Sequence, residues 1–128
     1  KTFDKTQKEM IKKSPDGSEF DVSLLYLSIK LSCKDVAPFS DQKWTTESNI
    51  MEYYITAIKN MRNNVLHGPL AVTDEQYKET LNNLRELLTG CLKTSGEKYG
   101  RDQDEVNQEV KHMNDDLHKI TTEILVAD

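Results

Sequence analysis

The chain has 128 residues, of which 30% are charged, and it contains only five glycines and three prolines. This length suits one domain with a modest core, and the composition is typical of a helical protein. The net charge of −5 argues against a broad nucleic-acid-binding surface, and no apolar run is long enough to cross a membrane. We therefore predict one domain over residues 1–128, in the cytoplasm and without membrane contact, and, because it starts with Lys1, part of a larger protein.

The first elements are predicted from turn and capping residues. Residues 1–13 form either a short helix or a frayed lead-in, and residues 14–17, Ser-Pro-Asp-Gly, form a turn. Ser18 followed by Asp21 resembles a capping box that opens a second helix, which runs to about Ser32. This second helix is apolar on more than one side, so we expect it to be central.

An aromatic loop and a third helix follow. Residues 34–47 form the loop, and Phe39 and Trp44 are expected to pin it to the body of the domain. Residues 50–67 form the third helix, which the Gly68-Pro69 pair should end.

The fourth helix is predicted to open with a capping box and to close at a small-residue segment. Thr73 and Gln76 have the capping-box spacing, and residues 94–96, Thr-Ser-Gly, should end the helix. Its apolar residues form a single stripe: Tyr77, Leu81, Leu84, Leu88 and Cys91.

The last helix begins near Arg101 and carries a heptad seam. Its apolar residues alternate at spacings of four and three: Val106, Val110, Met113, Leu117, Ile120 and Ile124. This seam can pack within the bundle or continue as a coiled coil into a neighbouring domain. The predicted fold is all-α, an up-and-down bundle of four to five helices with a long C-terminal amphipathic helix.

The charge distribution leaves room for a local cationic site. Residues 97–128 contain nine acids and four bases and so carry the whole net charge, whereas residues 1–96 are balanced. A general phosphate-tracking groove is therefore excluded, but a small cluster of bases in the first part of the chain is not.

Arg62 is the strongest sign of such a site, because it falls near the middle of the apolar face of the third helix. That face consists of Met51, Tyr54, Ile55, Ile58, Val65 and Leu66. A buried cation needs a partner carboxylate, a polar cleft or a bound anion. Lys59, Asn63 and His67 follow one another at intervals of four residues and flank Arg62. A purely structural ion pair to an acid on a neighbouring helix is the alternative reading of Arg62.

Three segments are informative together: residues 20–26 (FDVSLLY), Trp44 and residues 55–67 (ITAIKNMRNNVLH). They resemble the HEPN superfamily, in its animal branch named for a DAZ-interacting zinc-finger protein. HEPN domains are helical bundles marked by an arginine, usually a polar residue next, and a histidine after four to six intervening positions. Arg62, Asn63 and His67 match that pattern with four intervening residues.

The resemblance implies metal-independent cleavage of single-stranded RNA by a homodimer, in which the 2′-oxygen attacks the phosphate and leaves a 2′,3′-cyclic phosphate. Arg62 would hold the phosphate, His67 would transfer a proton or clamp the phosphate, and Asn63 would orient both. Lys59 and Tyr53 are candidate substrate-binding residues, the tyrosine by stacking on a base. No cofactor is expected. The alternative is a catalytically silent interaction or oligomerisation module of a larger signalling or innate-defence protein, which would bind protein partners or adjoining domains.

No metal site is predicted. The last helix carries a cluster of candidate ligands, namely His112, Asp115, Asp116 and His118. His112 with Asp115 or Asp116 could supply two ligands on one face, but His118 lies away from that face, so a complete site would need ligands from elsewhere. A solvated acidic face is the favoured interpretation.

Cys33 and Cys91 are the only cysteines, and they lack the C-x-x-C spacing. They are expected to be small buried or half-buried thiols in a reducing compartment, and a disulfide between them stays open as an alternative.

Overall fold

The structure, a computed structural model, describes residues 2–18, 21–33, 35–67 and 73–126, with the backbone alone for residues 66, 67 and 123–126. These residues form five α-helices and no strand. The helices are α1 (Lys5–Lys13), α2 (Val22–Ser32), α3 (Met51–His67), α4 (Asp74–Lys98) and α5 (Gln103–Val126), with a 3₁₀ helix (Gln42–Trp44) between α2 and α3. The all-α class and the long C-terminal helix are confirmed. Phe20, Gly68 and Pro69, on which parts of the sequence interpretation rest, lie outside the described residues.

The helices from α2 to α5 pack in sequence order, and neighbouring helices in this series run antiparallel. Ser23 near the start of α2 contacts Arg62 near the end of α3. Met51 at the start of α3 and Lys98 at the end of α4 line the same cavity. The last pair places Gly96 of α4 against Val106 of α5. This is the predicted up-and-down order, which short connections favour because they join neighbouring helix ends.

Side-chain caps define where the helices begin. Thr73 and Gln76 form the predicted capping box at the start of α4. At α2 the prediction was wrong: Asp21 itself is the N-cap and accepts the Leu24 N–H at 2.8 Å. Ser18 belongs to the preceding turn, where its hydroxyl hydrogen-bonds to that of Ser14 at 3.2 Å. An aspartate satisfies a free N–H at a helix start as well as a serine does, so spacing alone could not choose between them.

The core lies between the long helices and under the aromatic loop. Its buried hydrophobic residues are Leu24, Leu27, Ala37, Trp44, Met51, Leu81, Val106 and Leu117. Trp44 is 1% exposed and donates its indole N–H to the Pro38 carbonyl at 3.0 Å, which pins the loop as predicted. In contrast, Leu25 of α2 is exposed, so α2 is not covered all round as its composition suggested.

Gly96 does not end α4, as the sequence had indicated, because α4 continues to Lys98. A Cβ at Gly96 would lie 2.6 Å from a methyl carbon of Val106, so the glycine serves the close approach of α4 and α5. The turn comes at Gly100, whose φ of 65° is the conformation that glycine adopts without strain.

The heptad seam of α5 packs against α4 near the turn and opens further along. Val106 and Leu117 are buried, whereas Ile120 is exposed; the side chain of Ile124 lies outside the described part of the chain. None of the described helices combines the length and the hydropathy that a membrane span requires.

Candidate phosphate-binding face between helices α2 and α3

Arg62 lies at the surface between α2 and α3 rather than at the buried centre of an apolar stripe. Of the α3 side chains that the structure describes, the buried ones lie in the first two turns and are Met51, Glu52 and Thr56. Towards the C-terminal end the helix opens: Val65, placed on the buried face by the sequence, is 63% exposed. The Arg62 side chain retains 35% of its accessible surface, so the guanidinium reaches solvent.

Among the described residues, three polar side chains contact the Arg62 guanidinium, and they do not saturate it. Nη1 donates to Ser23 Oγ at 3.4 Å and to Asn63 Oδ1 at 3.2 Å. Nη2 lies 4.0 Å from Oδ2 of Asp21. These distances are at the long end for hydrogen bonds and ion pairs, and two of the three acceptors are neutral. A guanidinium has five N–H donors, so Arg62 can donate to an additional acceptor besides these groups.

Local structure explains why the N-terminal end of α2 supplies two of these groups. Asp21 has extended backbone and uses Oδ1 to cap the helix, which leaves Oδ2 facing α3. Ser23 lies in the first turn of α2, beside the late turns of α3, because the two helices are antiparallel. Neither residue was selected from the sequence as a candidate site residue. The signal that could have found Asp21 was its capping position, combined with a correct pairing of α2 with α3.

Lys59, one turn before Arg62 on α3, packs on an aromatic ring. Its Nζ lies 4.6 Å from the centroid of the Tyr26 ring. The Tyr26 hydroxyl hydrogen-bonds to that of Thr56 at 3.2 Å, so the ring is held between α2 and α3. A cation above a ring face is attracted by its negative quadrupole, which keeps the Lys59 charge near the α2–α3 surface.

A second lysine, Lys30, lies in an aromatic cluster that includes Tyr26. The Lys30 ammonium lies 4.1 Å from the Phe39 ring centroid and 5.0 and 5.1 Å from those of Trp44 and Tyr26. It also donates to the Tyr26 hydroxyl at 3.4 Å. The cluster joins the aromatic loop to α2 and contacts Tyr26.

The other predicted site residues differ in their position relative to Arg62. Asn63 is half-buried beside Arg62 and accepts its hydrogen bond, so these two are brought together. Tyr53 is half-buried with its ring centroid 6.0 Å from that of Tyr54. It lies about 13 Å along the helix axis from Arg62 and on the opposite side, so the structure does not bring Tyr53 to the arginine. His67 is the last residue of α3, and its side chain lies outside the described residues.

A second arginine, at the start of α5, provides a contrast. Arg101 donates to both carboxylate oxygens of Glu109 at 2.7 and 2.8 Å and lies 3.6 Å from Glu105. Hydrogen bonding to Glu109 raises the pKa of Arg101, and the same bonds lower the pKa of Glu109 from its ordinary value. This guanidinium is thus bound by a bidentate carboxylate from its own segment.

The other groups that the sequence singled out form no additional site. Within the described residues no three His, Cys, Asp or Glu side chains cluster as metal ligands would. Cys33 is exposed, Cys91 is half-buried, and the two are not bonded to each other. Burial raises the pKa of the Cys91 thiol, which makes it a poor nucleophile. Sequence reasoning did not identify Glu52 as a core residue, yet it is buried and accepts the Ala37 N–H at 3.3 Å.

No protein-family model, curated protein or solved structure matches the chain.

Proposed function

We propose that the domain is a metal-independent endoribonuclease of the HEPN type that acts as a homodimer and uses Arg62 to hold the scissile phosphate. The observation that carries this proposal is the position of the guanidinium. It is one-third exposed, it lies at the α2–α3 surface, and its hydrogen-bond partners Ser23 and Asn63 are neutral. A planar guanidinium in this state can offer two N–H groups to two phosphate oxygens.

Exchange of partners at Arg62 requires little energy. The bonds to Ser23 and Asn63 are long, and a hydroxyl or amide left by the arginine at this surface is rehydrated. A phosphodiester carries a full negative charge, so it is a better partner for the guanidinium than either neutral group. As charge builds on the pentacovalent phosphorus, this attraction grows, which is the condition for stabilising a transition state.

The neighbours of Arg62 support the same role. Asn63 accepts from Nη1 and so orients the plane of the guanidinium. Lys59 adds a second positive charge one turn away, held by the Tyr26 ring rather than by a carboxylate. The face therefore attracts a polyanion even though the chain as a whole is acidic.

The reaction assigned to the domain forms one bond and breaks another at phosphorus. The ribose 2′-oxygen attacks as its proton is removed, the bond to the 5′-oxygen breaks, and that oxygen receives a proton. A histidine can provide or take these protons near neutral pH, and His67 is the last residue of α3. One histidine cannot give and take a proton in the same step, so the second copy supplies the other.

The end of α3 also offers a contact for that second copy. Asn64 and Val65 are exposed there, immediately after Arg62 and Asn63. Pairing of two α3 helices would bury Val65, which is 63% exposed in a single chain. We place the homodimer in the cytoplasm, where a reducing environment keeps the exposed Cys33 thiol unpaired.

The second candidate is a non-catalytic interaction module of a larger signalling or innate-defence protein. The internal contacts of the α2–α3 surface favour this candidate. Arg62 already contacts Ser23, Asn63 and Asp21, and Lys59 contacts Tyr26. Under this alternative those contacts join α2 to α3 and have no further role, and the exposed helix faces bind protein partners.

Cleavage of an end-labelled single-stranded RNA in EDTA decides between the two candidates. Wild type should produce 2′,3′-cyclic phosphate ends, and the His67→Ala and Arg62→Ala variants should not. His112→Ala is the matched control, since His112 is an exposed histidine on α5, away from the α2–α3 face, and this variant should cut like wild type. Circular dichroism establishes that every variant is folded. If wild type fails to cut at concentrations where it is dimeric, the interaction module is the better assignment.

A further inference from the structure

The geometry points to Asp21 as an internal competitor of phosphate for Arg62, so that a bound phosphate must work against a carboxylate fixed beside the site. The inference rests on the proposed function for its ligand, a phosphodiester of RNA. The ion pair itself belongs to the described structure, in which Asp21 Oδ2 faces Arg62 Nη2 at 4.0 Å.

The Asp21 carboxylate and the Arg62 guanidinium are near enough to attract each other but too far apart to form a direct hydrogen bond. Charge-assisted N–H···O bonds are typically about 2.7–2.9 Å long. The Arg101–Glu109 pair reaches 2.7 and 2.8 Å in this same chain, whereas the Asp21–Arg62 pair remains at 4.0 Å. The Asp21 side chain is 62% exposed, so the pair is screened by water.

Capping holds the carboxylate in this position. Oδ1 of Asp21 accepts the Leu24 N–H at 2.8 Å, and this bond closes the N-terminal end of α2. The side chain therefore cannot swing away without uncapping the helix. Its negative charge stays near the Arg62 guanidinium whether or not a ligand is present.

Two consequences follow for anion binding. An incoming phosphate is repelled by Asp21 as it approaches Arg62, so a single free phosphate binds weakly. An RNA strand brings several phosphates, and Lys59 on the same surface can engage another of them. Asp21 therefore acts as a selectivity device: it disfavours small anions, while a polyanion overcomes the repulsion through additional contacts.

Asp21→Asn tests this role, because asparagine caps a helix as well as aspartate does and removes the charge. The matched control is Asp102→Asn. Asp102 is exposed and accepts the Asp104 N–H at 2.8 Å, and it precedes α5 at the end of the bundle opposite Arg62. Both variants change the net charge equally, so a general electrostatic effect appears in both.

The readout is the affinity for inorganic phosphate, followed by NMR through the side-chain N–H of Arg62 and the backbone amides of Ser23 and Asn63. Asp21→Asn should bind phosphate about two- to fivefold more tightly than wild type, the range expected for loss of one exposed ion-pair partner. Asp102→Asn should change the affinity by less than about 1.5-fold because screening is strong at that distance. In an Arg62→Ala background, Asp21→Asn should increase the affinity for phosphate by no more than Asp102→Asn does.

Equal phosphate affinities of Asp21→Asn and Asp102→Asn would overturn the inference, as would a gain that persists without Arg62. RNA cleavage is measured separately on the same variants. If Asp21→Asn tightens phosphate binding but no variant cuts RNA, the competition by Asp21 stands and the ribonuclease proposal fails. If wild type cuts RNA but Asp21→Asn leaves the phosphate affinity unchanged, the ribonuclease proposal stands and the competition by Asp21 fails.

Discussion

Two arginines of this chain face carboxylates, and their surroundings differ in almost every respect. Arg101 is bound by both oxygens of Glu109 at hydrogen-bond distance, and Glu105 lies nearby. Arg62 has two long bonds to neutral groups and one carboxylate at 4.0 Å. Their exposure is similar, at 41% and 35%, so access to solvent does not distinguish them.

The difference shows which arginine can bind something else. A phosphate that approaches Arg101 would have to replace a bidentate carboxylate, whereas at Arg62 it would replace a hydroxyl and an amide. A count of exposed cations would rate the two arginines equally, and only the partners separate them. Charge that is not neutralised within its own segment is therefore the better guide to a binding face.

Removal of each arginine should give the largest contrast. We expect Arg62→Ala to lower the rate of RNA cleavage about 100-fold or more, the usual effect of losing one group that stabilises transition-state charge. Arg101→Ala should leave the rate within about twofold, the change expected for loss of an exposed charge remote from the site. Initial rates on one end-labelled RNA provide the comparison. Equal losses in both variants would mean that the arginines act only through general charge.

Gly96→Ala tests how closely α4 packs against α5, without changing any charge. A Cβ at this position would lie 2.6 Å from a Val106 methyl, and overpacking of this kind costs about 1–3 kcal/mol. The higher helix propensity of alanine returns up to about 1 kcal/mol. Urea unfolding followed by the fluorescence of Trp44, the single tryptophan, measures the net loss.

Lys93→Ala, an exposed change on the same helix, serves as the control for Gly96→Ala and should stay within about 0.5 kcal/mol of wild type. The cleavage rate of folded Gly96→Ala should be unchanged, because α2 and α3 carry the proposed site. A variant as stable as wild type would show that Val106 moves aside at a cost no larger than the gain in helix propensity from alanine.

Tyr26→Phe tests how the α2–α3 side is held. The variant loses the hydroxyl contacts to Thr56 and Lys30, and we expect a cost of about 1 kcal/mol. Thr56 still donates to the Glu52 carbonyl, and the ring face remains available to Lys59, so cleavage should change by less than about twofold. Tyr53→Phe is the control and should be near neutral in stability. A large loss of cleavage in Tyr26→Phe alone would give the hydroxyl a direct role at the site.

The smallest effect is expected for Glu109→Gln, which breaks the Arg101 pair. Hydrogen bonds from Arg101 hold the pKa of Glu109 below its ordinary value of 4.5, so the pair stabilises the fold above that pH. Its contribution is lost as the pH falls through the lowered pKa. The melting temperatures of wild type and variant should therefore differ slightly at pH 7 and converge in acid. Glu86→Gln, another exposed change, should show no such convergence; a gap that persists in acid would contradict the assignment.

The sequence predicts the helices and turns of this protein better than it predicts the contacts between helices. The Thr73 cap and the 14–17 turn follow from local rules that depend on a few neighbouring residues, and the burial of Trp44 follows from its large apolar ring. Gly96 was misread because a glycine late in a helical pattern can end the helix or admit a neighbouring one. Helical periodicity alone cannot distinguish these cases.

The environment of Arg62 shows the same limit. Periodicity placed the arginine on the inner face of α3, but the degree of burial along that face depends on how far α2 covers it. Asp21 and Ser23 reach Arg62 only because α2 and α3 pair antiparallel in one register. Contacts between residues this far apart in sequence depend on the packing of whole helices, which no local pattern encodes.

The measurement that tests the central claim most directly follows the side-chain N–H signals of the three arginines, Arg62, Arg85 and Arg101, as a single-stranded oligouridylate is added. In a labelled sample, assignment requires only one substitution at each arginine. We expect the Arg62 signal to shift and saturate while that of Arg101 stays in place, because a phosphate would have to displace the bidentate Glu109 carboxylate from Arg101. Equal shifts at Arg62 and Arg101, or none at Arg62, would contradict a phosphate-binding face between α2 and α3.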